Sequence, residues 1–294
     1  MYSSPNSKWL GLLYLTPALL FVAVFTVYPL TQMVWVSFNN WTLISPPKWV
    51  GLNNFTKAFS DRQFWISLTF TLKYTLLITP ILMIGGYAIA LLVSGNSLLQ
   101  RFTRTVVFLP VVIGLGASSL LWYWLFAPDA GFINTILRDL GIIPDRILWL
   151  GVNADISNWA IIISVVWKVI GFGMILFVGA IQAIPTEVNE AALVDGASGW
   201  QRVRAITLPL TLRTILLVTL ISVIGSLLAF DQFYIMTSGG PQNRMISIVY
   251  YIFNQSFVSF NLGYGAALSI ALLVILVALS IVQLWLLKVG EDRP

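Results

Sequence analysis

Long apolar stretches separated by short polar connections run through the whole chain. No charged residue occurs between Lys8 and Lys48, between Lys73 and Arg101, or between Arg104 and Asp129. A helix needs about 20 mostly apolar residues to cross a bilayer. The pattern therefore predicts an all-α polytopic membrane protein with six transmembrane helices, near 10–37, 67–95, 105–127, 158–184, 211–236 and 264–288.

Six spans place both termini on one side of the membrane. Connections 96–104 and 185–210 lie on the same side, and connections 38–66, 128–157 and 237–263 lie on the opposite side. Apart from Lys73 and Lys168, which lie well within spans, eight Lys and Arg residues fall on the terminal side, with Arg213 and Lys288 at span ends, and six fall on the other side. This excess favours cytoplasmic termini by the positive-inside rule. We expect residues 1–294 to form a single transmembrane domain, with the first span retained as a membrane helix.

Composition agrees with this assignment and excludes several chemistries. The chain is 58% hydrophobic and only 9% charged, with a mean hydropathy of +0.89, whereas soluble domains average about 25% charged residues. The net charge of +5 is thinly spread and predicts no nucleic-acid partner. Because the sequence has no cysteine and no histidine, thiol nucleophiles, disulfides, imidazole bases and the usual zinc and haem ligands are excluded.

One polar segment, residues 186–209, interrupts the apolar pattern between the fourth and fifth spans. Thr186 is a candidate N-cap for a short helix, and Gly196 suits the left-handed position that ends it. Ser198 and Gln201 form a predicted capping box for a second helix. The segment is either a docking helix, which Glu190 and the neighbouring small alanines favour, or a connector without further function.

The same segment resembles the EAA loop of ABC importer permeases, E-A-A, three residues, G, nine residues, I-x-L-P. The matching residues are Glu190, Ala191, Ala192, Gly196, Ile206, Leu208 and Pro209. "GLNNFTKAFSDRQFW" (51–65) and "FDQFYIMTSGGPQN" (230–243) resemble segments of the binding-protein-dependent sugar permeases, the maltose and glycerol-phosphate group. Most of the chain is covered by these similarities and the span pattern.

The resemblance implies a cytoplasmic coupling helix that docks on an ATPase subunit. It assigns this ATPase-coupling role to Glu190, Ala191, Ala192, Asp195 and Gly196. It also implies a bacterial cytoplasmic (inner) membrane location and four kinds of partner: a second, different permease subunit, two cytosolic ABC ATPase subunits, a periplasmic or lipid-anchored solute-binding protein, and membrane lipid. The chain has no G-x-x-x-x-G-K-[ST] motif, so we expect no cofactor and no catalysis here, with ATP and Mg used by the partner ATPase.

Charged and aromatic residues within the fourth and fifth spans are candidates for the substrate pathway, because an intramembrane charge is costly. Aromatic faces and hydrogen-bonding groups also suit a polyhydroxylated solute. In the alternative interpretation, Lys168 and Asp231 pair structurally between helices, or the lysine snorkels. Gly85, Gly86, Gly171 and Gly173 allow close helix packing or act as hinges. The candidate pathway residues are Trp167, Lys168, Phe172, Asp231, Gln232 and Tyr234.

Other functional classes explain the sequence less completely. A stand-alone secondary carrier leaves the EAA loop unexplained, and an intramembrane enzyme lacks a catalytic pair. An amino-acid or metal-ion permease would share the loop but not the 230–243 segment. The solute itself stays open among disaccharides, oligosaccharides, glycosylated compatible solutes and glycerol phosphate.

Overall fold

Apolar segments of this chain form helices, since a helix satisfies its backbone hydrogen bonds internally in lipid. The computed structural model describes residues 6–42 and 44–291; Arg293, counted above on the terminal side, lies outside them. Four helical stretches in that described part are long and apolar enough to cross a membrane, namely Leu13–Ser37, Arg62–Val93, Ala154–Gln182 and Leu262–Trp285. Two further pairs of helices are long and apolar enough to cross a membrane only when the two helices of a pair are taken together, and each pair is sharply bent.

The elements follow one another from α1 to α15, with two short strands. In chain order they are α1 Asn6–Val22, a π turn Ala23–Val27, α2 Tyr28–Ser37, β1 Asn39–Asn40, β2 Lys48–Trp49, α3 Asn53–Ser60, α4 Arg62–Val93, α5 Leu98–Phe108, a 3-10 turn Leu109–Val112, α6 Leu115–Leu125, α7 Phe132–Asp139, α8 Ala154–Gln182, α9 Thr186–Val194, α10 Gly199–Arg202, a π turn Val203–Thr207, α11 Leu208–Leu210, α12 Leu212–Leu227, α13 Asp231–Thr237, α14 Ile248–Phe253, a π turn Asn254–Val258 and α15 Leu262–Glu291.

The predicted third and fifth spans differ from the structure, which interrupts both. Leu98–Val112 meets Leu115–Leu125 at a bend of 100°, and Gly199–Leu210 meets Leu212–Leu227 at 69°. The described residues therefore contain four membrane-length helices, or six crossings if each bent pair crosses once. The predicted fifth span is also divided near its end, because α12 stops at Leu227 and α13 begins at Asp231. Pro110 lies in the 3-10 turn, where its missing N–H interrupts the helical hydrogen bonds.

Contacts between residues group the chain into two compact units. The single domain expected from the sequence stays a prediction. The first unit comprises Met1–Asp61 and Ile252–Val274. Within it, β1 pairs antiparallel with β2, and Thr42 forms a bridge with Asn261. Tyr264 Oη donates to Asp61 Oδ2 at 2.5 Å. These contacts join residues from the beginning and the end of the sequence.

The second unit comprises Arg62–Tyr251 and Ile275–Pro294. Its core forms where α4 packs against α8 and α12. The buried side chains shared by these helices are Ala90, Val93, Met174, Phe177, Val178 and Val218.

Two of the four glycines expected at close helix contacts lie against backbone. A Cβ added at Gly86 would come within 3.5 Å of Met174 N. A Cβ added at Gly171 would overlap Val107 O and lie 2.9 Å from Phe108 Cα. The prediction of close packing is confirmed at these positions.

Candidate solute cavity and exposed helical hairpin

A cavity of about 200 Å³ lies within the second unit, between α4, α6, α8, α12 and α13. Its walls are mainly aliphatic, with aromatic rings from three different elements and a few polar groups from α12 and α13. Its lining residues include Tyr74, Phe172, Ser222, Phe230, Asp231 and Gln232.

Three of the six predicted pathway residues line this cavity: Phe172, Asp231 and Gln232. Gln232 is only 5% exposed, and its Nε2 donates to Tyr74 Oη at 3.5 Å. Its Oε1 is buried and accepts no hydrogen bond from the described residues. The cavity is therefore lined by one carboxylate, a hydrogen-bond acceptor, and the unused amide oxygen of Gln232 is buried in its wall.

The other three candidates lie elsewhere. Lys168 is buried, and its Nζ donates to Val111 O at 2.9 Å. Trp167 packs edge-on against Trp122, with ring centroids 5.7 Å apart. Tyr234 is half-exposed and stacks on Phe230 with centroids 5.2 Å apart. None of the three is among the residues that line the cavity.

Lys168 and Asp231 do not form the ion pair considered from the sequence. In the part of the chain that the structure describes, the salt bridge found is Arg146–Asp129. The partner of Lys168 is instead a backbone carbonyl of the 3-10 turn that interrupts the third span. The lysine thus links α8 to the bent helix pair.

Sequence reasoning missed Tyr74 and Phe230 as cavity residues. Tyr74 is 2% exposed and packs edge-on against Phe233 at 5.0 Å. A hydroxyl-bearing aromatic in an apolar span is a usable signal, since a buried Tyr O–H usually finds a polar partner. Phe230 adjoins Asp231, but its role depends on the break between α12 and α13, which the apolar pattern conceals.

The polar segment between the fourth and fifth spans forms a compact helical hairpin of α9 and α10. Gly196 has φ +76°, a left-handed conformation that favours glycine. Gly196 N donates to Leu193 O at 3.1 Å and Ala197 N to Ala192 O at 2.9 Å, which together form a Schellman motif. Ser198 and Gln201 form the predicted capping box. These local hydrogen bonds fix the turn.

The predicted cap at Thr186 is wrong, because the helix begins one residue earlier than expected. Thr186 is the first residue of α9, and Pro185 occupies the N-cap position without a side-chain hydrogen bond. Val188 N donates to Pro185 O at 3.2 Å, which closes the first turn.

Most of the predicted coupling residues are exposed on this hairpin. Glu190, Ala191, Asp195 and Gly196 are exposed, whereas Ala192 is 9% exposed and packs within the chain. Two large apolar residues that the sequence reasoning did not select are exposed as well, Val194 at 88% and Trp200 at 71%. The hairpin therefore combines acidic groups with uncovered apolar surface, which is typical of an interaction site.

Comparison with known proteins assigns the family. Residues 83–289 match the family described as "Binding-protein-dependent transport system inner membrane component". The "Trehalose/maltose transport system permease protein MalF" of Thermococcus litoralis is 33% identical over 286 residues, covering 97% of this chain and 94% of that protein. The "Probable ABC transporter permease protein YurN" of Bacillus subtilis is 31% identical over 292 residues, covering 98% and 99%.

A solved structure shares the fold. A chain from the "Crystal structure of bacterial alginate ABC transporter in complex with alginate pentasaccharide-bound periplasmic protein" superimposes with a TM-score of 0.83 at 23% identity, covering 95% of this chain and 93% of that one. The family match spans most of the chain and agrees with its apolar helices. This protein therefore belongs to the family of binding-protein-dependent transport system inner membrane components.

Proposed function

We propose that this chain is a transmembrane subunit of an ATP-driven, binding-protein-dependent importer for a sugar or sugar derivative. Family membership supports an import role. The names of relatives that refer to trehalose, maltose and lactose support the sugar class. In this proposal the chain crosses the bacterial inner membrane six times, with each bent pair as one crossing and both termini in the cytoplasm.

The observation that carries the coupling role is the exposed hairpin of α9 and α10. Its turn is fixed by the Schellman motif at Gly196 and by the Ser198 capping box. It exposes Glu190 beside the large apolar side chains Val194 and Trp200. A rigid, partly apolar projection with a carboxylate suits a cleft in a second protein, because apolar burial provides affinity and charge provides orientation. We assign Glu190, Ala191, Asp195 and Gly196 to that contact, and Ala192 to packing beneath it.

The proposed assembly contains a second, unlike permease subunit, two cytosolic ATPase subunits and a solute-binding protein outside the membrane. The similar solved structure is a transporter in complex with a periplasmic protein, which supports the last of these partners. ATP and Mg would be used by the ATPase subunits, and this chain would perform no catalysis. The cavity beside Phe172, Asp231 and Gln232 is our candidate for this chain's share of the solute pathway.

The test is co-purification of the tagged chain with its partners from its own host. The wild-type chain should retain a second permease and an ATPase subunit. The double variant Glu190→Lys with Gly196→Pro should lose the ATPase but keep the second permease, because it reverses the hairpin charge and removes the left-handed turn. Arg101→Glu, a charge reversal at an exposed residue of α5, serves as the control and should retain both.

Retention of the ATPase by the double variant, at normal membrane levels, would contradict the coupling role. Purification of the wild-type chain without any ATPase would contradict the importer itself and would favour a stand-alone carrier.

A further inference from the structure

The described residues that line the cavity carry a net negative charge. Of the described residues that line it, Asp231 alone is charged. Neither of the two lysines within the neighbouring spans is among the residues that line the cavity. Lys168 donates to Val111 O, and Lys73, although adjacent to Tyr74, lines a separate cleft together with Arg62 and Arg244. The cavity therefore contains a carboxylate without a compensating cation among the described residues that line it.

Hydrogen-bond acceptors lie at the start of α13, beside the hydroxyls of Ser222 and Tyr74, which can accept or donate. Gln232 uses its Nε2 as a donor to Tyr74 Oη, and its Oε1 is a buried acceptor without a partner among the described residues. Asp231, the preceding residue, lines the cavity, and its carboxylate oxygens can accept O–H or N–H donors from a bound solute.

We propose that this cavity selects neutral or amine-bearing sugars and rejects anionic ones such as sugar phosphates, sulfonates and uronates. This inference rests on the proposed function, since it takes the cavity as part of the solute pathway. Hydroxyls can donate to Asp231, and the apolar face of a sugar ring can pack on Phe172 and Phe230. An anionic group would meet the Asp231 carboxylate in a largely apolar surrounding, where like-charge repulsion is stronger than in water.

Because the chain has no cysteine, a single introduced thiol can report the electrostatic effect of Asp231 within the cavity. Ser222 lines the cavity, and Ser222→Cys introduces one thiol while leaving Asp231 intact. The purified complex is treated with cationic, anionic and neutral methanethiosulfonate reagents. The thiolate attacks the reagent sulfur, a mixed disulfide forms and methanesulfinate leaves. Intact mass of this chain follows the modification, so cysteines in partner subunits do not interfere.

Each rate is divided by the rate of the same reagent with a free thiol in solution. The normalised cationic rate should exceed the anionic rate by about tenfold or more, as expected for a nearby carboxylate at reduced dielectric. Adding Asp231→Asn should bring the ratio close to one. Adding Asp139→Asn instead, which removes an exposed carboxylate in α7, should leave the ratio unchanged.

A ratio near one in Ser222→Cys, or a ratio that Asp231→Asn does not change, would overturn the charge selectivity while leaving the importer proposal intact. Failure of the neutral reagent to react, both without nucleotide and with ATP, would instead show that water-soluble molecules do not reach the cavity. That result would overturn the pathway assignment and the inference together.

Protection by sugars tests the solute class itself. Glucose and glucosamine should slow the reaction of Ser222→Cys with the neutral reagent more than glucuronate does at equal concentration. Stronger protection by glucuronate would overturn the inference.

Discussion

At the scale of single residues, Lys168 shows how a buried charge can serve packing rather than solute contact. Its ammonium group is held 2.9 Å from Val111 O, in the short 3-10 turn between α5 and α6. A hydrogen bond from a charged donor contributes about 1.5–3 kcal/mol to stability. We therefore assign Lys168 to positioning of the interrupted third span.

Replacement of this lysine should reduce stability without changing the cavity field. Lys168→Met keeps an unbranched side chain that is one atom shorter, and it leaves Val111 O without its donor. We expect the melting temperature of the purified complex to fall by several degrees, measured by thermal unfolding. The reagent ratio at Ser222→Cys should not change. Lys73→Met, at an exposed lysine in α4, is the matched control, and an equal loss of stability there would contradict a specific role for Lys168.

At the scale of elements, α8 approaches the third span closely enough at Gly171 to lie against its backbone, in addition to the side-chain contacts of Trp167 and Lys168. Gly171 lies where any Cβ would overlap Val107 O, so α8 and α5 approach more closely than larger residues would allow. On the same helix, an added Cβ at Gly179 meets nothing within 4 Å. Substitution by alanine can therefore be compared at a crowded position, Gly171, and at an open one, Gly179.

Gly171→Ala should destabilise the complex by about 1–3 kcal/mol, the usual cost of overpacking. Gly179→Ala should be neutral or slightly stabilising, since alanine is the better helix former. Thermal unfolding of both variants provides the comparison. Similar stabilities of the two variants would mean that the close contact at Gly171 is not required.

Local signals explain which elements the sequence predicts well. The hairpin turn is encoded within a few residues, by Gly196 and the Ser198 capping box, and it was predicted correctly. The bends were not, because prolines have opposite outcomes in this chain. Pro80 lies inside the uninterrupted helix α4, whereas Pro110 lies at a break. The difference depends on distant neighbours such as Lys168, which a local sequence pattern does not reveal.

The residues of the candidate cavity are predictable only in part, because contacts between residues distant in sequence decide which of them line it. Trp167 and Phe172 are five residues apart, which places them about 140° apart around a helix, so they cannot share one wall. Asp231 and Gln232 were found because polar groups are conspicuous in an apolar stretch. Tyr74 was missed because its contact with Gln232 joins residues 158 positions apart.

At the scale of the whole molecule, the number of membrane crossings depends on the two bent helix pairs. Six crossings place connections 128–157 and 185–210 on opposite sides, and with the proposed cytoplasmic termini the former lies outside the cell. If both pairs are re-entrant, only four helices cross and these two connections exchange sides. The bends of 100° and 69° are compatible with either arrangement, so labelling decides between them.

Single cysteines at exposed positions provide that measurement. In intact cells, a membrane-impermeant maleimide should label Asp145→Cys but not Val194→Cys, because we expect six crossings with cytoplasmic termini. Lys57→Cys should be labelled in either arrangement and serves as the reference. Labelling of Val194→Cys with protection of Asp145→Cys would instead establish four crossings.

The first compact unit can be completed only late in the synthesis of the chain. It joins Met1–Asp61 to Ile252–Val274, so roughly 190 residues must be translated between its two parts. At about 5–20 residues per second, the first helix waits about 10–40 s for its partner segment. During that interval Asp61 lacks Tyr264 and Thr42 lacks Asn261. The nascent chain must therefore hold its first span in the bilayer, or against the insertion machinery, until its last span has been made.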